Sequence, residues 1–328
     1  MVLPKLTYCP GTLAAGHNGY SSTALRRVFQ GKKVSCILPY DSPATNDITD
    51  AKFTENRKRL SISGVQEKFS VLLDKNKLRL VAEGEQGQYI LKPIPNVGQN
   101  ADQMPANEHL TMQIARQVFD IETAENALIF FKNGELAYIT KRSDVNDNGS
   151  KWGQEDFASL AKRTPQTHGE DFKYIGNYLG LFELLEKYTP AYTVEAIKLF
   201  KLIVFNYLFS NGDAHYKNFS LVETPLGDYR LSPAYDLLNS RLHINDRDFA
   251  LEDGLLPPHL AQGKAKDQFL TLGEAAKIQK SQVVKIFEEL TSKQEAVLAL
   301  IEVSFLDEKS KRNYTQAYQT RLNKLLGL

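Results

Sequence analysis

SNGDAHYKN, residues 210–218, is the strongest local signal in this 328-residue chain. It directly follows the strongly apolar run IKLFKLIVFNYLFS, residues 197–210, which predicts a buried helix. Asp213 precedes Asn218 by five positions. A short, stiff loop with this interval can aim a proton-accepting carboxylate and a metal-binding amide into one cleft. Asp and Asn also serve ordinary turns, so the interval alone leaves both interpretations open.

A second segment, LSPAYDLL at residues 231–238, places Asp236 among apolar neighbours one hairpin later. The interval from Asp213 to Asn218 is that between the base and the metal-binding Asn of a kinase catalytic loop, and Asp236 falls where a kinase has its second magnesium carboxylate. A lone Asp in this position could merely cap a turn. Paired with Asn218, it predicts a magnesium site.

The first half of the chain supplies candidate groups for binding phosphate. LSISGVQEKFSVLL, residues 60–73, is a Ser- and Gly-containing loop that runs into a strand, so its backbone N–H groups could cradle phosphate oxygens. Lys68 and Lys92 could each bring a positive charge to the phosphates, although lysines at strand ends are more often surface residues. Glu108 could orient such a lysine, or it could be a solvated carboxylate in the first turn of a helix.

The hydrophobic pattern predicts an α+β chain with two lobes. Residues 1–50 have weak periodicity and are predicted to form an irregular extension, and residues 51–143 a lobe with a small, mainly antiparallel sheet and one helix from residue 105. Residues 144–328 are predicted to form a helical lobe with a hairpin near residues 219–231. The predicted strands are 67–73, 77–83, 88–92, 127–131 and 136–140, and the predicted helices of the second lobe are 154–162, 171–187, 193–210, 280–303 and 307–326.

The composition gives no support for several classes of protein, and it leaves direct nucleic-acid binding unsupported but not excluded. Lysine and arginine number 40 against 39 aspartates and glutamates, so no overall charge favours nucleic acid or an anionic membrane. Two cysteines are too few for a disulfide framework and fit a reducing compartment. The N-terminus lacks the basic and apolar pattern of a secretory signal, and the longest apolar run is too short to cross a bilayer. We therefore expect a cytoplasmic protein.

Five segments, in this order, resemble the HipA-like toxin serine/threonine kinases: SISGVQEK, ILKP, NEHLTMQIA, NGDAHYKNFSL and SPAYDLL. The resemblance covers roughly residues 57–300. The chain length and the Ser-Ile-Ser loop are most similar to the short HipT-type kinases of tripartite HipBST toxin-antitoxin systems. The resemblance implies a two-lobed, protein-kinase-like fold and transfer of the ATP γ-phosphate to a protein.

The resemblance also implies roles for individual residues. Asp213 corresponds to the catalytic base, and Asn218 and Asp236 to the ligands of Mg²⁺. Ser61 matches a serine that these kinases autophosphorylate, and Ser63 is a second candidate; a phosphate there would repel nucleotide and inactivate the enzyme. The implied ATP-binding residues are Ser63, Gly64, Val65, Gln66, Glu67, Lys68, Lys92, Lys141, Arg142, Ser143, His215, Lys217, Asn218, Tyr235 and Asp236. Longer HipA members have an aromatic residue where this hinge has Ser143.

The substrate and partners follow from the same resemblance. Protein substrates in this family include aminoacyl-tRNA synthetases, whose inactivation stops translation. The short HipT-type kinases lack the N-terminal subdomain of full-length HipA. The implied partners are a small antitoxin that resembles this subdomain and a helix-turn-helix antitoxin that contacts DNA. Two other hypotheses stay open on the sequence: a small-molecule kinase with the same Asp-to-Asn interval, and a non-catalytic kinase-like partner of a DNA-binding antitoxin.

Overall fold

A computed structural model describes residues 6–43, 67–96, 98–146, 149–245 and 247–327. The predicted phosphate-loop residues Ser61, Ser63, Gly64, Val65 and Gln66 lie outside these ranges. Glu67 and Lys68 lie inside them and directly precede the first strand.

The first lobe contains a five-stranded antiparallel sheet with strand order β2-β1-β3-β5-β4. Alternate residues of β1 are buried, as the alternating pattern predicts. Asn133-Gly134 forms the β4–β5 turn, in which Gly134 has a φ of 88°. The strands are β1 Phe69–Asp74, β2 Lys77–Leu80, β3 Tyr89–Lys92, β4 Asn126–Phe130 and β5 Leu136–Lys141.

The N-terminal segment packs on this sheet. Helix α1, Ser22–Phe29, begins after Ser21, whose hydroxyl accepts a hydrogen bond from the Ala24 N–H at 3.1 Å. Phe29 lies in the same apolar cluster as Tyr89. Residues 36–38 extend along the outer edge of β4, where the Leu38 N–H donates to the Phe130 carbonyl at 2.7 Å. The sequence predicts an irregular extension here, whereas the structure has a helix and a strand-edge contact. Helix α1 has only eight residues, which is too short for a clear periodic signal.

Helix α2, Met104–Gln117, lies between the sheet and the second lobe. Every residue from Pro105 to Ala115 is buried, so this helix has no solvated face over that length. It contacts β4 and β5 on one side and helices of the second lobe on the other. It therefore brings Glu108 into the interior, where a charge needs a partner.

The second lobe is mostly helical, with a three-stranded antiparallel sheet of order β6-β7-β8. Short 3₁₀ turns at Tyr216–Asn218 and Ser240–Leu242 follow α6 and β8. The elements are β6 Gln154–Asp156, α3 Phe157–Leu160, α4 Pro165–His168, α5 Leu179–Tyr188, α6 Tyr192–Leu208, β7 Ser220–Glu223, β8 Tyr229–Leu231, α7 Ala265–Ala275, α8 Lys280–Ser292, α9 Gln294–Glu302 and α10 Glu308–Leu326.

Helix α6 is the apolar helix that precedes SNGDAHYKN, and an aromatic cluster fixes its C-terminal end. The rings of Phe205 and Phe209 are 4.4 Å apart, and Phe209 stacks on Tyr318 of α10 at 5.1 Å. Ser210 follows with a φ of 54°, which turns the chain out of the helix. The loop that carries Asp213 therefore begins at a rigid point of the core. In the described part of the chain, no helix is both long and apolar enough to cross a membrane.

Candidate active site

Lys92 joins the two lobes through a pair of carboxylates. Its ammonium group lies 2.7 Å from Oε1 of Glu108 on α2 and also contacts Oδ1 of Asp236 from the second lobe. The side chains of Lys92 and Glu108 are each only 4% exposed. Burial excludes the solvated first-turn alternative for Glu108 and the surface alternative for Lys92. Burial opposes the charged form of Lys92, but Asp236 and Glu108 outweigh it and raise the pKa of the ammonium group.

Asp236 is surrounded by positive charge. Nζ of Lys68, just before β1, lies 3.6 Å from Oδ2, on the other side of the carboxylate from Lys92. Burial opposes ionisation, but Lys68 and Lys92 outweigh it and hold the pKa of Asp236 well below its usual range. The backbone of Asp236 has a φ of 54°, an uncommon conformation for a residue with a side chain. Such conformations concentrate at functional sites.

Asp213 lies beside this charged group, and its environment differs. Oδ1 accepts a hydrogen bond from the Tyr174 hydroxyl at 2.7 Å. Burial raises the pKa of Asp213, against the opposing effects of the Tyr174 hydrogen bond and the charge of Lys173. The side chain is still 47% exposed, so a substrate hydroxyl can reach it. A raised pKa favours a group that must accept and release a proton near neutral pH.

His215 is a buried, neutral neighbour of Asp213. Its Nε2 lies 3.7 Å from Oδ1 of Asp213, too far for a hydrogen bond. Burial, with the charge of Lys173, lowers the pKa of His215 to about 3. The ring packs edge-on against Tyr174, with centroids 5.0 Å apart. His215 therefore shapes the loop by packing and carries no charge near neutral pH.

Asn218 ends the same loop. Its Oδ1 accepts a hydrogen bond from the His215 backbone N–H at 3.3 Å, which holds the amide against the loop. Lys217 is paired with Asp156 at 2.8 Å. The Tyr235 hydroxyl contacts Ser220 and donates to the Lys217 carbonyl at 3.0 Å. These contacts join the segment of Asp236 to the segment of Asn218.

Lys141, Arg142 and Ser143 connect the lobes. Lys141 is the last residue of β5, and the Arg142 guanidinium forms two hydrogen bonds with Asp144, at 2.6 and 2.9 Å. The Ser143 hydroxyl donates to Gln154 at 3.1 Å. All three predicted hinge residues line a cavity of about 400 Å³. Lys92, Asp213 and Asp236 are not among its lining residues.

The structure thus brings together some of the predicted residues and separates others. Lys68, Lys92, Asp213, His215 and Asp236 form one electrostatically coupled group, with Glu108 behind Lys92. Lys217 and Tyr235 instead bind the chain around that group. The sequence does not identify Tyr174 as a site residue: it lies 39 residues from Asp213, inside the helix predicted at 171–187. That prediction is wrong at its start, because the helix begins only at Leu179 and Tyr174 lies in the turns before it.

The donor set suits a cation that binds phosphate as well as protein. Mg²⁺ usually takes one or two protein carboxylates and completes its shell with water and phosphate oxygens. Asp236 is held in its ionised form by the ammonium groups of Lys68 and Lys92. These two groups occupy the side of the carboxylate on which a cation would bind. Among the described residues, no cluster of three or more His, Cys, Asp or Glu could hold a metal alone. A site that is complete only with nucleotide fits these observations.

Comparison with known proteins identifies relatives in sequence. The model of the HipA-like C-terminal domain matches residues 60–298. A Haemophilus influenzae protein named "Putative kinase" is 25% identical over 328 residues, which cover 93% of this chain and 92% of that protein. "Putative kinase Y4dM" of Sinorhizobium fredii is 30% identical over 272 residues, which cover 78% of this chain and 63% of that protein.

Solved structures confirm the predicted fold class. The HipA chain in a complex of Shewanella oneidensis HipA, HipB and operator DNA matches with a TM-score of 0.64 and 20% identity, over 82% of this chain and 66% of that chain. The Helicobacter pylori proinflammatory kinase CtkA matches with a TM-score of 0.52 and 15% identity, over 78% of this chain and 94% of that chain. Identities this low show the fold alone. Because the family model spans most of the chain, this protein belongs to the family of the HipA-like C-terminal domain and has its kinase-like fold.

Proposed function

We propose that this chain is a serine/threonine protein kinase of the toxin type that transfers the γ-phosphate of ATP to a protein. The observation that carries the proposal is the buried contact of Lys92 with both Glu108 and Asp236. Protein kinases need a lysine of the sheet paired with a glutamate of the adjacent helix, together with an aspartate for magnesium. Here the lysine is the last residue of β3, the glutamate lies on α2 and the aspartate belongs to the second lobe.

Asp236 and Asn218 would hold Mg²⁺, and Lys68 and Lys92 would contact the phosphates. When bound, Mg²⁺ neutralises charge on the transferred phosphoryl group. Lys92 is already charged and held by Glu108, so it can exchange Asp236 for a phosphate oxygen without losing its second partner. Ser63, Gly64, Val65, Gln66 and Glu67 would complete the phosphate side, and Lys141, Arg142 and Ser143 the adenine side.

Asp213 would act as the base. It would accept the proton of the attacking hydroxyl, and the Tyr174 hydroxyl would orient the carboxylate through Oδ1. The buried His215 packs against this loop and is neutral, so it adds no positive charge that would pair with the Asp213 carboxylate in place of the substrate hydroxyl. The nearby positive charges of Lys68 and Lys173 stabilise the ionised form.

The proposed kinase subtype, substrate and partners rest on the Ser-Ile-Ser loop and on the resemblance to the family. We propose a HipT-type kinase that autophosphorylates at Ser61 or Ser63 and thereby repels nucleotide from Lys68 and Lys92. The substrate would be a protein that translation needs, such as an aminoacyl-tRNA synthetase, and the reaction would take place in the cytoplasm. The HipA of Shewanella oneidensis occurs in a complex with HipB and operator DNA. By analogy, a helix-turn-helix antitoxin and a small subdomain-like antitoxin would bind this chain, which would reach DNA only through the former.

Phosphate transfer from radiolabelled ATP tests the proposal. The full chain is incubated with labelled ATP with and without Mg²⁺, and phosphopeptides are mapped. We expect magnesium-dependent label in residues 57–68 of the wild type, at Ser61 or Ser63, and none in Asp213→Asn or Asp236→Asn. Asp228→Asn, in the hairpin between β7 and β8 and outside the site, is the matched control and should label like the wild type.

Two results would contradict the proposal. A chain that binds Mg²⁺ and ATP but labels only added small molecules would be a small-molecule kinase. If Asp213→Gln, expressed without antitoxins, still stopped growth as the wild type does, the toxicity would not come from catalysis.

A further inference from the structure

Asn107, the residue before Glu108, connects helix α2 directly to the segment that carries Asp236. Its side chain is fully buried and faces the backbone of Asn239, three residues after Asp236. The Asn107 Nδ2–H donates to the Asn239 carbonyl at 2.9 Å, and the Asn239 N–H donates to Oδ1 of Asn107 at 3.0 Å. One amide side chain thus makes the reciprocal pair of bonds that a neighbouring strand would make.

A buried histidine fixes the orientation of this amide. The second N–H of Asn107 Nδ2 points to Nε2 of His243 at 2.9 Å, and Nδ1 of His243 lies 3.0 Å from the Gln99 carbonyl. A carbonyl can only accept, so His243 must carry its proton on Nδ1 and accept at Nε2. A flipped Asn107 amide would face two like groups at Asn239. The network therefore permits one amide orientation and one tautomer of a neutral ring.

Burial and charge agree with the neutral ring. His243 is 3% exposed, and burial lowers its pKa although the backbone carbonyls near Gln99 and the carboxylate of Asp102 act in the opposite direction. One turn further along the same face of α2, the Thr111 hydroxyl donates to the Asn107 carbonyl at 2.9 Å and lies 2.8 Å from the Tyr314 hydroxyl of α10. This face of helix α2 is thus held by neutral hydrogen bonds to the Asp236 segment and to α10.

We propose that Asn107 is a positioning residue that keeps Glu108 and Asp236 in register when Lys92 leaves Asp236 for a phosphate. Two connections join α2 to the Asp236 segment: the charged contact through Lys92 and the neutral clamp from Asn107 to Asn239 and His243. Nucleotide binding removes the first connection and leaves the second in place. This role rests on the proposed kinase function.

Variants of two buried amides on the same helix test the role. Gln113 is the matched control, because its Nε2 donates to Asn126 of β4 at 2.9 Å and does not touch the Asp236 segment. We expect Asn107→Ala to lower the kcat of phosphate transfer about tenfold to a hundredfold, because small misplacements of reacting groups have large effects. The KM for ATP should change less. Gln113→Ala should lower the melting temperature similarly and keep kcat within about twofold of the wild type.

Nuclear magnetic resonance of the wild-type histidine rings provides a readout that does not depend on activity or on variants that fold. The ¹⁵N shifts of His243 should show a neutral ring with its proton on Nδ1 near neutral pH. In Asn107→Asp, a carboxylate oxygen replaces the donor, so Nε2 of His243 should gain a proton. A wild-type ring protonated on Nε2 would overturn the clamp.

Different results would contradict the proposed function and the positioning role of Asn107. If the wild type neither binds Mg²⁺ and ATP nor transfers phosphate, the proposed function is wrong and the positioning role with it. If the wild type transfers phosphate and Asn107→Ala keeps the kcat of Gln113→Ala, only the positioning role is wrong.

Discussion

Nζ of Lys92 lies 2.7 Å from Oε1 of Glu108 where the sheet, helix α2 and the second lobe meet, and both side chains are almost fully buried. Removing one member of a buried ion pair leaves an uncompensated charge, which typically costs about 3–5 kcal/mol. Replacing both members by neutral side chains of similar size costs much less. Changes to this pair should therefore alter the free energy of unfolding as well as the activity.

We expect Lys92→Met to lower the free energy of unfolding by about 3–5 kcal/mol near neutral pH. The double variant Lys92→Met, Glu108→Gln should recover part of the loss, because Asp236 also loses Lys92 but keeps Lys68 and is 26% exposed. Burial already raises the pKa of Glu108, and removing Lys92 raises it further, so the single variant should regain stability as the pH falls and Glu108 binds a proton. Urea denaturation at neutral and acidic pH measures both effects.

The exposed pair of Arg230 and Glu122, 2.9 Å apart and more than one third exposed on both sides, is the control for this cycle. Arg230→Met should change stability by less than about 1 kcal/mol. Equal losses in Arg230→Met and Lys92→Met would contradict the assignment of Lys92 and Glu108 as a buried, interdependent pair.

Tyr174 sets the acid limit of activity if Asp213 is the base. Burial raises the pKa of Asp213, and the hydrogen bond from Tyr174 is the largest effect in the opposite direction. Tyr174→Phe removes this bond and keeps the aromatic packing on His215. The pKa of Asp213 should then rise further, so the acid limb of the pH-rate profile should move to higher pH. An acid limb that stays in place, or that moves to lower pH, would show that Asp213 does not govern it.

Much of the fold was accessible from local patterns in the sequence. Phe69, Val71 and Leu73 alternate with half-buried or exposed residues, and Asn133-Gly134 marks a tight hairpin, so the five strands were predicted within a few residues. Helix α6 follows from its long apolar run. Helix α7 and strand β6 were not predicted, because a short amphipathic segment and a three-residue strand give weak periodic signals.

The candidate site, like the fold, could be predicted only in part from local sequence. Asp213, Asn218 and Asp236 lie in motifs that can be read locally, and their roles stay predictions. For Glu108 the sequence left two alternatives open, and only burial against Lys92 distinguishes them. The contacts of Tyr174 with Asp213 and of Asn107 with Asn239 join residues 39 and 132 positions apart. Local spacing carries no information about such pairs, since tertiary packing creates them.

Arg321 of α10 connects the C-terminal helix to the end of α6 and to an exposed carboxylate. It is 1% exposed, lies 4.6 Å above the ring of Tyr207 at the end of α6, and pairs with Asp248 at 2.7 Å. Asp248 is 41% exposed and also pairs with Arg241 and Lys324 at 3.0 and 3.3 Å. The two partners therefore respond differently when the other is lost.

Asp248→Asn should be the more damaging change, because it leaves a buried guanidinium without a carboxylate. Since Asp248 is itself 41% exposed, the loss should fall between the value for an exposed pair, under about 1 kcal/mol, and the value of about 3–5 kcal/mol for a fully buried one. Arg321→Met should cost less, since Asp248 keeps solvent and two other cations, and the double variant should be more stable than Asp248→Asn alone.

The same pair predicts a dependence on pH. Burial opposes ionisation of Asp248, but Arg321 outweighs burial and lowers the pKa of the carboxyl group. The stability that this pair contributes is therefore present above the usual carboxyl pKa and is lost as the pH falls through the pKa of Asp248 in the folded state. Denaturation curves of the three variants across acidic pH measure both effects; if Arg321→Met proved as damaging as Asp248→Asn, packing over Tyr207 and not charge pairing would be the main contribution of Arg321.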